Sequence, residues 1–382
     1  MNKIAELISR LCPDGVEFKT LDSLVSYVQP GPYIVSSTEY DAHYSTPVLT
    51  AGQSFILGYT NEEEGIYNAS SQKPVIIFDD FTTSFHWVDF DFKVKSSALK
   101  ILKMKDKQEA DFRYIYMAMK TIHFIPTNHI RHWISLYSKF EIPLPPLNIQ
   151  KEIVSILDSF TSLIDKMKQE VEMRKKQMEY YREKLMAPQT NWKIKTLGEI
   201  GTFTRGNGLQ KSDFRVKGFP CVHYGQIHTY YNTCIYKTKS FCEEDLAKKL
   251  QKASYGDLLI ATTSEDVKAC CKAAVWFGAG DVAYSGDSFC YSHDQDPKYM
   301  AYLFQTEMFA KQKQKAATGA KVIRVSGESM ASFSFAFPPL VQQRQIASIL
   351  VTFETYISKL EKMIELRQKQ YEYYREKLLT FE

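Results

Sequence analysis

Residues 143–186 read PLPPLNIQKEIVSILDSFTSLIDKMKQEVEMRKKQMEYYREKLM, and residues 336–379 read AFPPLVQQRQIASILVTFETYISKLEKMIELRQKQYEYYREKLL. The two segments align without a gap at an offset of 193 residues, and 22 of the 44 positions are identical. Self-similarity at about half the chain length indicates that one structural plan is used twice. The sequence therefore predicts two similar units.

Each copy is predicted to form one long helix. A Pro-Pro pair opens each copy, which disfavours helix before it and permits helix after it. About 40 residues without Gly or Pro follow, with apolar residues in steps of three and four that are typical of a coiled-coil seam. A run of steps of four predicts a stutter at the same point in both copies, comprising Leu163, Met167 and Val171 in one and Tyr356, Leu360 and Ile364 in the other.

The shared periodicity predicts that the two helices pack on each other, because a lone amphipathic helix is marginal in water. Two equal units favour an antiparallel pair, while a parallel pair and a dimerisation zipper between chains stay open. At 1.5 Å per residue each helix would span roughly 55–60 Å. The residues predicted to make the helix-helix contact are Ile153, Ile156, Phe160, Met167, Tyr181, Leu185, Ile346, Ile349, Phe353, Leu360, Tyr374 and Leu378.

The segments before the helices predict two globular domains of the α+β class. Both contain short apolar runs broken by Gly, Pro, Ser and Asn, which are typical of strands and turns. TPVLTAGQ at 46–53 resembles FPCVHYGQ at 219–226, and both 111–119 and 296–304 fit short amphipathic helices. The predicted organisation is a first domain at 1–142, a helical region at 143–190, a second domain at 191–335 and a second helical region at 336–382.

The composition sets loose bounds on function. A net charge of +4 over 382 residues permits nucleic-acid binding without requiring it. Seven cysteines without framework spacing, including the adjacent pair Cys270–Cys271, predict reduced thiols and a cytoplasmic protein. The sequence contains no apolar run of about 18 residues and no signal-peptide pattern at its start, so neither a membrane span nor secretion is expected.

Three motifs share residue types with catalytic sites but lack the required context. PDGVEFK at 13–19 has the side chains of a metal-dependent nuclease, yet Asp14 and Glu17 are too close in sequence to lie on neighbouring strands. GAGDVA at 278–283 fits a dinucleotide-binding glycine pattern, but no helix-forming segment follows it. Both Pro-Pro pairs are flanked by apolar residues and so lack the polar side chain of an amino-methyltransferase loop. The sequence predicts a protein that is not an enzyme and holds no metal.

Basic loops that contain glycine recur in both domains. TFTRGNGLQKSDFR at 202–215 and AATGAKVIRVS at 316–326 place Arg and Lys beside Gly, and TNHIRHWIS at 127–135 corresponds to the latter in the first domain. Arg, Asn and Gln can read base edges in the major groove. A basic loop is often only a solvated surface, but recurrence at corresponding places favours DNA binding.

Two variable domains, each followed by a Pro-Pro-x-x-x-Gln helix that ends in YYREKL, resemble the specificity subunit of type I restriction–modification systems. The resemblance covers the whole chain and is most specific around the helix starts, where Gln150 and Gln343 match. It implies that each domain recognises one half of a split target in double-stranded DNA. It also implies that the helices form an antiparallel spacer and help to hold two modification subunits.

The same resemblance assigns the chemistry to partner chains. It implies that modification subunits bind S-adenosylmethionine and methylate adenine, that restriction subunits use ATP and Mg²⁺, and that this chain carries no cofactor. The loop QPGPY at 29–33 departs from TRGNG at 204–208 because it lacks the arginine. The residues expected to contact DNA are Arg205, Asn207, Lys211, His223, Gln226, Lys321 and Arg324 in the second domain, and Thr50, Gln53, His129, Arg131 and His132 in the first.

Two other functions stay open at this point. A coiled-coil adaptor could join two domains that bind small ligands or proteins, and it would then show no salt-dependent affinity for DNA. A stand-alone methyltransferase would bind S-adenosylmethionine as an isolated chain.

Overall fold

A computed structural model describes residues 2–52, 54–105, 110–126 and 130–381. By their internal contacts the residues form two compact units. Unit 1 comprises Met1–Lys168 and Met363–Glu382, and unit 2 comprises Gln169–Lys362. Each unit thus holds one globular domain, the first half of the long helix that follows this domain, and the second half of the other long helix. The repeat in the sequence is reflected in the make-up of both units.

Unit 1 contains two sheets and one short strand pair. Its strands are β1 (Phe18–Thr20), β2 (Val25–Val28), β3 (Thr46–Leu49), β4 (Ile56–Thr60), β5 (Val75–Asp79), β6 (Phe85–Val88), β7 (Lys93–Val94), β8 (Leu99–Met104) and β9 (Glu141–Pro143). Its helices are α1 (Asn2–Leu11), α2 (Leu21–Leu24), α3 (Phe112–Met119), α4 (His132–Ser135) and the start of α5 (Leu147–Met186). The strand orders are β2-β8-β5-β6, β4-β3-β7 and β1-β9.

Unit 2 is built in the same way with additional strands. Its strands are β10 (Lys193–Thr196), β11 (Gly201–Arg205), β12 (Phe219–Val222), β13 (Cys234–Ile235), β14 (Ser240–Cys242), β15 (Lys252–Ala253), β16 (Leu258–Ala261), β17 (Thr263–Ser264), β18 (Lys272–Trp276), β19 (Val282–Tyr284), β20 (Ser288–His293), β21 (Ile323–Arg324) and β22 (Ser334–Phe337). Its helices are α6 (Leu197–Ile200), α7 (Tyr224–Thr229), α8 (Glu244–Ala247), α9 (Pro297–Leu303), α10 (Glu307–Ala316), α11 (Gly327–Ala331) and the start of α12 (Leu340–Leu379). The strand orders are β11-β20-β16-β18-β13, β14-β12-β19-β15, β10-β22 and β17-β21.

The two units share their central topology. The order β2-β8-β5-β6 in unit 1 corresponds to β11-β20-β16-β18 in unit 2. The strand β3 pairs antiparallel with β4 and parallel with β7, just as β12 pairs antiparallel with β14 and parallel with β19. The similar stretches 46–53 and 219–226 begin with β3 and β12, and the two predicted short helices are α3 and α9. The predicted α+β class is confirmed.

The long helices are each continuous over 40 residues, about 60 Å at 1.5 Å per residue. In unit 1 the ring of Phe160 lies 5.5 Å from that of Tyr374. In unit 2, Lys175 pairs with Glu361 at 2.9 Å, and Tyr181, further along α5, stacks on Phe353, which lies earlier on α12. In unit 1, Lys168 of α5 and Gln368 of α12 also border one cavity, so in both units later positions of α5 lie beside earlier positions of α12. Within each unit the two helix segments therefore run antiparallel, and their apolar stripes are buried in the same chain.

The helix-helix seam runs one residue later than predicted over part of its length. Ile349 is 44% exposed, whereas the next residue, Leu350, is fully buried. Leu163 and Tyr356 are likewise exposed, and Ile164 and Ile357 are buried in their place. The buried and half-buried positions then follow steps of three and four without the predicted stutter, at 157, 160, 164, 167, 171, 174, 178, 181 and 185 and at the equivalent positions of α12.

The other predicted seam residues lie at least partly inside. Ile153, Ile346, Leu360 and Leu378 are buried. Ile156 is half-buried beside the fully buried Leu157, which the prediction omitted. The remaining residues, all half-buried, are Phe160, Met167, Tyr181, Leu185, Phe353 and Tyr374.

A buried glutamine fixes the start of each long helix to its domain. Gln150 Oε1 accepts from the backbone N–H of Asp111 (2.8 Å), and its Nε2 donates to the carbonyl of Pro145 (2.7 Å). Gln343 makes the same two bonds, with Asp296 (3.0 Å) and Pro338 (2.9 Å). Asp111 and Asp296 are the N-cap residues of α3 and α9. The repeated glutamine thus ties the Pro-Pro turn to a helix of the domain.

Candidate nucleic-acid interface

In unit 2 the loop after β11 borders an open groove of about 500 Å³. The loop needs glycine twice. A Cβ on Gly206 would lie 2.2 Å from the carbonyl oxygen of Ser285, and Gly208 has φ +60°, a conformation that disfavours other residues. The exposed Arg205 donates from Nε to the carbonyl of Gly286 (3.1 Å), and both residues line the groove. The lining residues are Arg205, Gly206, Asn207, Gly208, Leu209, Gln210, His223, Tyr224, Ser285, Gly286 and Asp287.

Asn207 holds this loop in place. Its Nδ2 donates to the carbonyl of Lys249 (2.9 Å), and its Oδ1 accepts from the backbone N–H of Gln251 (2.8 Å). Both ends of the amide are therefore engaged within the protein. The neighbouring Gln210 and Lys211 are exposed. Unlike the side chain of Asn207, their side chains can therefore reach a ligand in the groove.

His223 and Gln226 form the start of α7. The imidazole Nδ1 of His223 accepts from the backbone N–H of Gly225 (3.1 Å), and Gln226 Oε1 accepts from the backbone N–H of His223 (3.0 Å). Gln226 Nε2 donates to Ser240 Oγ (2.7 Å). Burial, and secondarily the nearby Lys211 ammonium, lower the pKa of His223, which favours the neutral ring that this cap requires.

Arg324 is linked to the same groove through one residue, and Lys321 precedes it by three positions. Arg324 lies in β21, and its backbone pairs with that of Thr263 in β17. Thr263 Oγ1 in turn donates to the carboxylate of Asp287 (3.2 Å), which lines the groove. Both Lys321 and Arg324 are exposed. Unit 2 therefore brings Arg205, Lys211 and the Arg324 segment to one region.

Unit 1 has a smaller set of described counterparts. Thr50 occupies the position of His223 and also caps a turn, since its Oγ1 accepts from the backbone N–H of Gly52 (2.9 Å). Gly31–Tyr33, within the loop that replaces the arginine loop, forms a 3₁₀ turn. The predicted contacts Gln53 and His129 lie outside the described residues.

The last two predicted contacts differ sharply in exposure. Arg131 is exposed at the start of α4. His132 is only 2% exposed, packs edge-on against Phe124, and donates its backbone N–H to the carbonyl of Asp80 (2.8 Å). Its imidazole belongs to the core in this conformation, so Arg131 is the residue of this pair that can face a duplex.

Two parts of this architecture were not predicted from the sequence. The turn Ser285–Gly286–Asp287 lines the groove of unit 2, and the only signal was the segment YSGDSF, whose glycine and aspartate mark a turn. In unit 1 the side chains of Asp80 and Lys100 form a fully buried ion pair (3.4 Å). A lysine inside an apolar strand was a signal that Lys100 has a buried counter-charge. That this counter-charge is Asp80 is decided only by the fold.

Neither a metal-binding group of His, Cys, Asp and Glu side chains nor a membrane-spanning helix is found among the described residues. No group of three or more His, Cys, Asp and Glu side chains in this part of the chain is arranged to hold a metal ion. None of its helices carries an apolar stretch sufficient to cross a bilayer.

Comparisons with known proteins agree with this architecture. The profile of the type I restriction modification DNA specificity domain matches residues 13–173 and 189–368. The EcoR124I/EcoR124II type I restriction enzyme specificity subunit of Escherichia coli is 35% identical over 388 residues, which span 96% of this chain and 95% of that protein. A putative type I specificity subunit of Haemophilus influenzae is 27% identical over 96% of both chains.

Solved structures show the same fold. The S subunit of a type I restriction-modification system from M. genitalium superposes with a TM-score of 0.59 at 16% identity, over 95% of this chain and 96% of that one. A chain from a study of complex assembly and conformational transition of the type I system superposes with a TM-score of 0.55 at 12% identity, over 96% and 97%.

Proposed function

The chain belongs to the type I restriction–modification DNA specificity subunits and has two target recognition domains, and we propose that each domain reads one part of a two-part sequence in double-stranded DNA. The supporting observation is that both units share strand order and helix anchors, while the loops after β2 and β11 differ. Different loops on a common framework suit two sites of different specificity. An adaptor that does not touch DNA is not favoured.

In unit 2 we assign different roles to the predicted contact residues. Arg205 lines the groove, Lys211 follows its lining residue Gln210, and Arg324 is linked to it through Thr263 and Asp287. All three are exposed and are proposed to contact bases and phosphates. Asn207 and Gln226 use both ends of their amides inside the protein. They are proposed to hold the reading loops in shape. Lys321 extends the basic surface next to Arg324.

In unit 1 we propose Arg131 as the main basic contact, with Thr50 in a positioning role. Arg131 is exposed, and the segment that carries it is held by the hydrogen bond from the backbone N–H of His132 to the carbonyl of Asp80. This unit presents fewer of the predicted cationic contacts than unit 2 does. We therefore expect phosphate contacts to contribute less to the affinity of unit 1 for its half-site.

The helices offer each unit an equivalent surface for a partner. Exposed apolar side chains on α5 and α12 fall at repeat-related positions, and large exposed apolar groups mark interaction sites. We propose that each set binds one modification subunit, which gives two per chain. The sets are Leu163, Leu366 and Tyr373 in unit 1, and Tyr356, Met173 and Tyr180 in unit 2.

This surface is testable by stoichiometry. Replacing Leu366 and Tyr373 by Ser should reduce the assembled complex from two modification subunits to one, and the matched change of Met173 and Tyr180 should do the same. Native mass spectrometry of the purified complex measures this. Two subunits retained in both variants would contradict the proposal.

Catalysis is proposed to reside in partner chains. Modification subunits would carry S-adenosylmethionine for adenine methylation, and restriction subunits would carry ATP and Mg²⁺. Such a complex is expected in the cytoplasm, where it meets chromosomal DNA. The isolated chain is then expected to bind DNA with an affinity that falls steeply with salt, and to leave S-adenosylmethionine unbound.

The principal test is the methylation pattern of a host with its own modification and restriction subunits. Deleting this chain should abolish adenine methylation at one two-part motif, and exchanging residues of unit 2 loops should alter one part only. Methylation that persists after deletion would overturn the proposal.

Helix length is proposed to set the number of unread base pairs, as the resemblance implies. One heptad inserted after Lys168 in α5 and another after Lys362 in α12 keep the seam in phase and add about 10 Å. The unread gap should lengthen by about three base pairs, given roughly 3.4 Å per base pair. An unchanged gap in the methylated motif would refute this role.

A further inference from the structure

Two adjacent cysteines in unit 2 present their thiols to each other. Cys270 and Cys271 directly precede β18, and their Sγ atoms are 3.9 Å apart. Neighbouring side chains in extended backbone point in opposite directions. Here Cys271 has φ +62°, an uncommon conformation for a residue other than glycine. Such backbone outliers cluster at functional sites.

A third sulfur completes the cluster. Met330 of α11 places its Sδ 4.0 Å from Cys271 Sγ. All three side chains are buried, and α11 packs there through the same core as the two thiols. Thiolate and thioether sulfurs are soft ligands that suit copper(I), zinc and iron–sulfur clusters. The chemistry of this donor set is therefore that of a site for a soft metal ion.

A buried lysine balances the charge of such a site. Lys313 of α10 is 6% exposed, and its Nζ donates to the carbonyls of Cys270 (2.8 Å) and Lys268 (2.9 Å). Two thiolates with a monovalent cation carry one negative charge, which the ammonium neutralises. A divalent ion would leave the same uncompensated positive charge as the metal-free thiol form, so only a monovalent ion gives the buried ammonium a counter-charge.

The cysteine pair borders a cavity that extends to the surface. A cavity of about 610 Å³ is lined by Cys270, Cys271 and Lys313, and also by residues at the surface such as Lys268 and Gln314. A small ion can enter without unfolding of the domain.

We propose that Cys270, Cys271 and Met330 bind one soft monovalent metal ion, copper(I) or its chemical analogue silver(I). The ion replaces the two thiol protons, so that binding forms two metal–thiolate bonds and one metal–thioether bond and releases two protons. No oxidation or reduction takes place. The site borders the segment that carries Arg324, because Cys270 Sγ contacts the carbonyls of Thr262 (3.1 Å) and Ile323 (3.9 Å). The proposal does not depend on the proposed function.

The test is an anaerobic titration of the reduced full-length chain with silver(I) and with copper(I), against a chromophoric chelator. We expect one ion per chain, two protons released per ion, and a sulfur-only shell in X-ray absorption. The double variant Cys270→Ser/Cys271→Ser should lose the bound ion while its circular dichroism stays unchanged. Met330→Leu, which keeps the volume, should retain both thiolates and bind more weakly.

The matched control is a second pair of buried thiols in unit 2. Cys221 and Cys242 lie on the paired strands β12 and β14, and no methionine sulfur is among the packing partners described for their cluster. Cys221→Ser/Cys242→Ser should keep one ion per chain. Full binding by the Cys270/Cys271 variant, or loss of binding only in the Cys221/Cys242 variant, would overturn the proposal.

Discussion

Unit 1 and unit 2 anchor corresponding segments by different chemistry. At the end of β5, the buried carboxylate of Asp80 lies 3.4 Å from Lys100 Nζ and accepts from the backbone N–H of Trp133 (2.9 Å). At the end of β16, the short strand β17 instead pairs with β21 through backbone hydrogen bonds. The first anchor fixes the segment of Arg131 and the second that of Arg324.

The capping position after β3 and β12 differs in the same way. Thr50 accepts from the N–H of Gly52 through a hydroxyl, and His223 accepts from that of Gly225 through an imidazole. The backbone in both units requires a hydrogen-bond acceptor two residues before the glycine. The comparison shows that the fold preserves the role of a position while the side chain that fills it changes.

The largest difference should appear when the anchor of unit 1 is broken. Asp80→Asn keeps an oxygen for Trp133 but leaves the Lys100 ammonium buried without a counter-charge, which costs about 3–5 kcal/mol. Urea unfolding with a probe in unit 1 measures the loss. Adding Lys100→Met should recover most of it, and a cost below about 1 kcal/mol would show that the pair is not the anchor.

The next largest effect concerns the buried glutamine that anchors the long helix in each unit. Gln150→Leu leaves the buried N–H of Asp111 and the carbonyl of Pro145 without their partner, at roughly 1–3 kcal/mol for each group. Gln343→Leu should cost at least as much, because Gln343 also donates to Gln295 Oε1 (2.7 Å). The matched control is the exposed Gln169→Leu on α5. A smaller loss of stability for Gln343→Leu than for Gln150→Leu would contradict the idea that both glutamines anchor their helix in the same way.

A smaller effect should separate the two reading surfaces. Arg205→Ala is expected to weaken binding by about 1–3 kcal/mol at the half-site of unit 2 alone, because a bidentate base contact is worth that much. Fluorescence anisotropy at fixed salt, with duplexes altered in one half at a time, measures this. Arg215→Ala is the control, since Arg215 is already paired with Glu243 (2.8 Å). Equal losses at both half-sites would argue against the assignment.

The smallest effect concerns the pH dependence of stability that the capping residue His223 gives to unit 2. The pKa of His223 is lowered in the folded protein, so the unfolded chain binds more protons just below the ordinary value of 6.5. Unit 2 should therefore lose stability as pH falls through that window. His223→Thr, which copies unit 1, should reduce this dependence to the part that comes from His293, whose pKa burial also lowers, while keeping a cap worth about 0.5–1.5 kcal/mol. An unchanged pH profile in the variant would exclude His223 as its source.

Several features of the candidate site could be predicted from the sequence. The glycines of TRGNG and the basic residues around them were identified from residue type alone. Which polar groups remain free was not predictable, because Asn207 and Gln226 bond to Lys249 and Ser240, which lie far away in sequence. The burial of His132 next to Phe124 likewise depends on the packing of unit 1.

The sequence by itself determined the two long helices, the twofold use of one plan and the α+β class, because these depend on local periodicity and on repetition. Tertiary structure decided which of two adjacent apolar residues faces the partner helix, as at Ile349 and Leu350. Adjacent residues on a helix are separated by only about 100°, so both positions fit a seam until the partner is in place. The same reasoning applies to Asp80 and Lys100, whose pairing arises only when β5 and β8 lie side by side.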